Sequence, residues 1–170
     1  SWNNLAKTGG ALAALSFAGA QIGSHPDATD YYNYIRTYWT AAPSWSGSNA
    51  GWTGQWYAMY GLKKGLGLQG VTNMSIGATT RSWKQDFNAW LLGDATLLDT
   101  PNASLGNGYR STNSMFGQLA NGSWKSNIEP ASFNNSTNMD TAQAILTLSH
   151  AVTRPVPVAV ISPIPQQPNT

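Results

Sequence analysis

The chain has 170 residues, a length that suits one domain and is sufficient to bury a core. Hydrophobic residues make up 41% of it and charged residues only 9%, with a formal net charge of +2 and no cysteine. A disulfide framework and a thiolate metal site are therefore excluded, and the scattered Lys and Arg residues provide no basic stripe for DNA or RNA.

Three segments along the chain share one pattern, in which an Ala is followed by a Leu four residues later and by a small residue three further on. Most faces of these segments are apolar or small, which predicts helices surrounded by protein whose backbones approach closely. We interpret them as one helix used three times, forming an inner layer with spacings of 47 and 86 residues. They are Ala11/Leu15/Ala18, Ala58/Leu62/Gly65 and Ala144/Leu148/Ala151.

Two segments between the inner helices have a different character and are candidates for an outer layer. Asp27 to Trp39 is rich in Tyr, and Trp83 to Leu92 follows a Ser82-x-x-Gln85 capping box. Residues 93–113 and 125–139 are rich in Gly, Asn, Ser and Pro, which predicts long surface loops.

The composition changes abruptly after Val152, where prolines become frequent and exclude helix. We therefore divide the chain into a helical domain, residues 1–153, and an extended Pro-rich tail or linker, residues 154–170. The segment from Pro157 to Pro163 also resembles the opening strand of bacterial PKD-type immunoglobulin-like domains, which leads us to expect that the chain is part of a longer precursor.

A motif near the C-terminal end of the helical domain carries the most information. Gln118, Gly122 and Trp124 have the spacing Q-x3-G-x-W, and Asp140-Thr141-Ala142 opens an apolar helix after a further connection. This combination resembles the repeat of squalene-hopene cyclases and protein prenyltransferases. The resemblance implies an all-α fold, a partial α/α-toroid of stacked helix pairs. It also implies a structural role for Gln118, Gly122, Trp124, Asp140 and Thr141.

The catalytic motifs of both families are missing from the sequence. The cyclases protonate their substrate with an Asp-x-Asp-Asp motif, and no two acids here are closer than three apart. The prenyltransferases hold zinc with a ligand set that includes Cys, which this chain lacks. We expect no cofactor and no metal site, and we favour a non-enzyme. Asp27 and Asp30 are better explained by helix capping than by a diphosphate site.

Aromatic residues are the remaining chemical resource, with eight Trp and seven Tyr. The two interpretations are that these rings cover helix joints and fill boundaries, or that they stack against sugar rings or a partner surface. The candidate binding aromatics are Trp45, Trp52, Trp56, Tyr31, Tyr34 and Trp39.

The low charge and the abundance of uncharged polar residues are typical of exported proteins, so we expect an extracellular, cell-surface or periplasmic location. We also expect no transmembrane segment, because the longest apolar window, residues 11–20, is too short. The sequence favours a non-catalytic repeat module that acts in binding or self-assembly, for example as a subunit of an extracellular structure. The alternatives are a degenerate terpene-cyclase-like or carbohydrate-active enzyme, and a carbohydrate-binding module.

Overall fold

The fold consists mainly of helices, with one small β-hairpin. This computed structural model describes residues 4–41, 48–93, 119, 121–124 and 137–149. The elements in chain order are α1 (Asn4–Phe17), α2 (Pro26–Tyr38), α3 (Trp56–Leu68), β1 (Asn73–Ile76), β2 (Thr79–Ser82), α4 (Trp83–Leu92) and α5 (Thr137–Leu148). The Pro-rich tail and most of the two predicted loops, residues 94–113 and 125–136, lie outside the described residues. Residues 137–139, predicted as the end of the second loop, belong to α5 instead.

Helix α3 is the centre of the arrangement, because it packs against both α1 and α5. Glycines bring α3 and α1 into backbone contact. A Cβ atom on Gly65 would lie 2.6 Å from the Gly9 carbonyl oxygen, and one on Gly9 would lie 2.6 Å from the Gly61 carbonyl carbon. The predicted close packing of small residues is therefore observed between these two helices.

Helix α2 packs on α1 and also contacts β1, whereas α4 contacts β2 and α5. The hairpin was not predicted. Its strands are antiparallel, and Met74 of β1 faces Arg81 of β2 with both residues buried. Gly77, at φ +58°, begins the two-residue turn between the strands.

The α2 and α4 boundaries agree with the sequence prediction to within one residue at each end. Ser82 is the N-cap of α4, and its hydroxyl oxygen accepts a hydrogen bond from the Gln85 backbone N–H at 3.4 Å. Helix α5 starts three residues before the predicted Asp140, which places Asp140 in its first turn.

The repeat register between α1 and α3 needs a correction of one helical turn. Both helices end in the same way: the backbone N–H of Ala20 donates to the Leu15 carbonyl and that of Val71 to the Leu66 carbonyl, each at 2.9 Å. A left-handed glycine precedes the donor in both cases, Gly19 at φ +84° and Gly70 at φ +70°. The matched helix ends are thus 51 positions apart, whereas the Ala/Leu pattern had suggested 47.

The side chain of Gln69 joins these two helix ends. Its Nε2 donates to the Ser16 hydroxyl oxygen at 2.7 Å and to the Ala20 carbonyl oxygen at 2.8 Å. Its Oε1 accepts from the Ile22 backbone N–H at 2.8 Å. One amide therefore satisfies polar groups that the end of α1 leaves free.

Among the described helices, no stretch combines the length and the hydropathy that a bilayer-spanning segment requires.

Candidate functional site

The Q-x3-G-x-W segment forms a tight turn before α5. Gly122 adopts φ +81°, and its backbone N–H donates to the Leu119 carbonyl at 2.8 Å. The Leu119 N–H donates in turn to the Ser123 carbonyl, also at 2.8 Å. Gln118 lies outside the described residues.

Trp124 connects α4 to α5. Its ring is buried, and its indole Nε1 donates to the Leu91 carbonyl at 2.9 Å near the end of α4. Its backbone N–H donates to the Thr141 hydroxyl oxygen of α5 at 3.1 Å. Asp140, beside Thr141, is also buried. These contacts are those of a structural joint between two helices.

The other end of α5 is held by a lysine from α3. Lys63 Nζ donates to the carbonyl oxygens of Leu146 and Ser149 and to the Ser149 hydroxyl, the last at 3.2 Å. A positive charge at a helix C-terminus is favourable, because the unpaired carbonyls there carry partial negative charge. Burial lowers the pKa of the Lys63 ammonium, and the charges of Lys84 and Lys64 lower it further.

Anchored at both ends, α5 presents an apolar surface to solvent. Met139, Ile145 and Leu146 are 49%, 53% and 44% exposed, and Ala142 between them is also exposed. Their spacing places them on one side of the helix. We call these four residues the α5 face. The only charged residue of the helix, Asp140, is buried, so the α5 face has no charge.

The predicted binding aromatics fall into two groups. Trp39, Trp52 and Trp56 are fully buried, so they present no ring face to a ligand in this structure. Trp39 stacks on Phe87 with ring centroids 5.5 Å apart, and Trp52 meets the same ring edge-on at 4.8 Å. This placement favours the packing interpretation for the three Trp residues. Trp45 lies outside the described residues.

Tyr31 and Tyr34, the second group, line an open groove between α1 and α2 with a volume of about 400 Å³. Tyr31 is exposed, whereas burial raises the pKa of the Tyr34 phenol. The Asn4 side chain lowers that pKa and Tyr38 raises it, but no described group satisfies the Tyr34 hydroxyl with full hydrogen-bond geometry. The polar lining consists of Asn4, Lys7, Thr8 and Asp30.

A buried ion pair was missed in the sequence. Arg81 and Asp86 form a two-pronged contact, with Nε to Oδ2 at 2.8 Å and Nη2 to Oδ1 at 2.6 Å. The indole Nε1 of Trp39 also donates to Asp86 Oδ2, at 2.7 Å. No sequence pattern marks an Arg and an Asp as an ion pair when they are five positions apart on either side of a strand-to-helix boundary.

The described acids do not form a catalytic constellation. Asp27 and Asp30 are exposed on α2, and Asp86 is committed to Arg81 and Trp39. In the described part of the chain, no group of three or more His, Cys, Asp or Glu residues could hold a metal ion. His150 and Glu129 lie outside it.

Comparison with known proteins identifies no relative: no family model, no curated protein and no solved structure matches the chain.

Proposed function

We propose that this chain is a non-catalytic helix-pair module of an exported or cell-surface protein, and that it acts by self-association through the α5 face. The observation that supports this proposal is that hydrogen bonds hold α5 at both ends, while Met139, Ile145 and Leu146 are exposed. Three large apolar side chains exposed on one side of a helix are typical of a surface that packs on another segment, and the exposed Asn138 borders them.

The arrangement of helices supports the wider interpretation as a partial α/α-toroid. The contacts run from α1 through α3 to α5, while α2 and α4 flank this row. In a toroid, an inner helix has an inner neighbour on each side. On this interpretation α5 is the last inner helix of the described chain, and its exposed face is where the next helix would pack.

The contacts of two buried charged side chains support the non-catalytic part of the proposal. Asp86 is neutralised by Arg81, and Lys63 is engaged by the end of α5. A general acid or base needs a free proton position near a substrate, and these groups hold helices together instead. The low overall charge, 9% of residues, also weakens repulsion between copies.

The test is sedimentation velocity of the purified chain over a wide concentration range, with Ile145→Asp as the variant. We expect the wild type to associate and the variant to stay monomeric, because a buried unpaired carboxylate is costly. Asn33→Asp adds the same charge on the exposed side of α2 and should associate normally. A wild type that is monomeric at all concentrations would overturn self-association.

A second candidate function is carbohydrate binding in the groove between α1 and α2. It is favoured by one observation, an exposed Tyr31 ring beside the polar side chains of Asn4, Lys7 and Asp30. Retardation of the chain in polysaccharide-containing gels would test it. Tyr31→Ala should abolish retardation. Tyr57→Ala, which changes an exposed Tyr on α3, should preserve it. Equal retardation of the two variants would exclude the groove as the carbohydrate site.

A further inference from the structure

The corrected register shows which side of each helix faces its neighbours. In α3, Gly61 and Gly65 face α1: a Cβ atom on either residue would lie 3.1 Å or less from an α1 carbonyl oxygen. Lys63 lies about 200° around the helix from Gly61, on the side that meets α5. Helix α3 therefore has one small-residue side for the preceding helix and another side for the following one.

The same two sides exist in α1. At the offset of 51 positions, Leu12 is the equivalent of Lys63, and Leu12 does face the following helix, since its Cβ lies near Gly65. Gly10 and Ala14 are the equivalents of Gly61 and Gly65. They should accordingly face a preceding helix, and both are exposed instead.

Among the described residues, no contact of one copy of the chain explains the choice of glycine at position 10. A Cβ atom added there would meet nothing within 4 Å, in contrast to Gly9, which is pressed against α3. A glycine inside a helix destabilises that helix relative to alanine. Phe17, two turns along on the same side, is 79% exposed. Lys7, one turn before Gly10, is exposed on the same side and is the equivalent of the buried Ala58. We call Gly10, Ala14 and Phe17 the α1 edge, and Lys7 borders it.

We propose that the α5 face of one copy packs on the α1 edge of a second copy, head to tail. The inference rests on the proposed self-association and specifies its geometry. The α1 edge repeats the pair of small residues by which α3 contacts α1, and the α5 face supplies uncharged apolar side chains to cover it. The two surfaces lie at opposite ends of the α1–α3–α5 row.

A contact between two different surfaces is heterologous, so each copy keeps one free surface of each kind. Such contacts extend the row of helices from copy to copy. They close into a ring if the rotation per copy permits it and otherwise form a filament.

Cross-linking tests this geometry, because the natural chain has no cysteine. Ala14→Cys and Ile145→Cys chains are prepared separately and treated, alone or mixed, with a bismaleimide that spans about 8–10 Å, the usual distance between packed helices. We expect cross-linked dimer only in the mixture. A mixture of Ile145→Cys with Thr80→Cys, an exposed position on β2, measures random collision and should give none.

The outcomes separate this inference from the proposed function. Cross-linking of Ile145→Cys with itself would show that α5 packs on α5, which overturns the head-to-tail contact and leaves self-association standing. Ala14→Asp provides a second readout: we expect its dissociation constant to rise at least tenfold with an unchanged helical circular dichroism spectrum. The head-to-tail contact would also be overturned if Ala14→Asp associated as strongly as the wild type while Ile145→Asp did not associate.

Discussion

At the scale of single residues, the buried carboxylate of Asp86 joins three parts of the fold. It accepts hydrogen bonds from Arg81 and Trp39, which come from β2 and from the end of α2. A buried ion pair is weak evidence for stability as a whole, but loss of one partner leaves an uncompensated charge in the core.

We therefore expect Asp86→Ala to reduce the free energy of unfolding by about 3–5 kcal/mol, since Arg81 would stay buried without its partner. Urea unfolding followed by Trp fluorescence measures this change. Asp30→Ala removes an exposed acid from α2 and should change stability by no more than about 0.5 kcal/mol. Equal effects of the two substitutions would refute the role assigned to Asp86.

Tyr34 gives the fold a pH dependence in the alkaline range. Burial raises its pKa in the folded chain above the ordinary value of 10.0, so the unfolded chain releases this proton first. Its contribution is fully present below about pH 10 and is lost as the pH rises through the folded pKa. We expect the wild type to lose stability over this range more steeply than Tyr34→Phe. Unfolding free energies at several alkaline pH values decide this, and parallel curves would contradict it.

At the scale of elements, α3 contains one glycine that lies at the contact with α1 and another that lies away from it. A Cβ atom on Gly65 would lie 2.6 Å from the Gly9 carbonyl oxygen, whereas one on Gly67 would meet nothing within 4 Å. The two glycines belong to the same helix, so the same substitution at both separates packing from helix propensity.

We expect Gly65→Ala to destabilise the fold by about 1–3 kcal/mol, because the helices would have to move apart. Gly67→Ala should instead stabilise it by about 0.5–1 kcal/mol, through the lower entropy of the unfolded chain. Thermal unfolding of the two variants measures both changes. Stabilisation by Gly65→Ala would show that the helices are not in backbone contact.

These elements also show what the sequence could predict. The Ala/Leu pattern and the Ser82 cap identified helices, because helical periodicity and capping depend on residues that are close in sequence. The β-hairpin was missed although a signal existed: Met74 and Ile76 alternate with polar residues before the Gly77-Ala78 turn. Strands of four residues offer too short an alternation to stand out.

The site was predicted unevenly for a physical reason. Trp124 and its hydrogen-bond partner Thr141 both belong to the motif, whereas Leu91, its partner in α4, has no feature that marks it in sequence. The burial of Trp39 and Trp52 depends on distant residues, among them Phe87, and the residues beside each Trp do not indicate it. The register of α1 against α3 likewise emerged only from their matched ends.

At the scale of the whole molecule, the absence of charge on the α5 face determines how association should respond to salt. Screening weakens contacts between exposed charges, whereas sulfate strengthens apolar burial. We expect sodium chloride to leave the association constant unchanged and ammonium sulfate to increase it. Sedimentation in both salts measures the effect, and dissociation by sodium chloride would indicate an ionic interface elsewhere.

The matched ends of α1 and α3 have a consequence for how such arrays grow. The packing of α1 on α3 within one chain has the same form as the contact that we propose between copies. A polypeptide with two of these domains in tandem would therefore make the proposed contact between its own two domains. Its strength would then depend on the connecting segment, through the effective concentration that this segment imposes. Duplication could lengthen the array without the invention of any new surface.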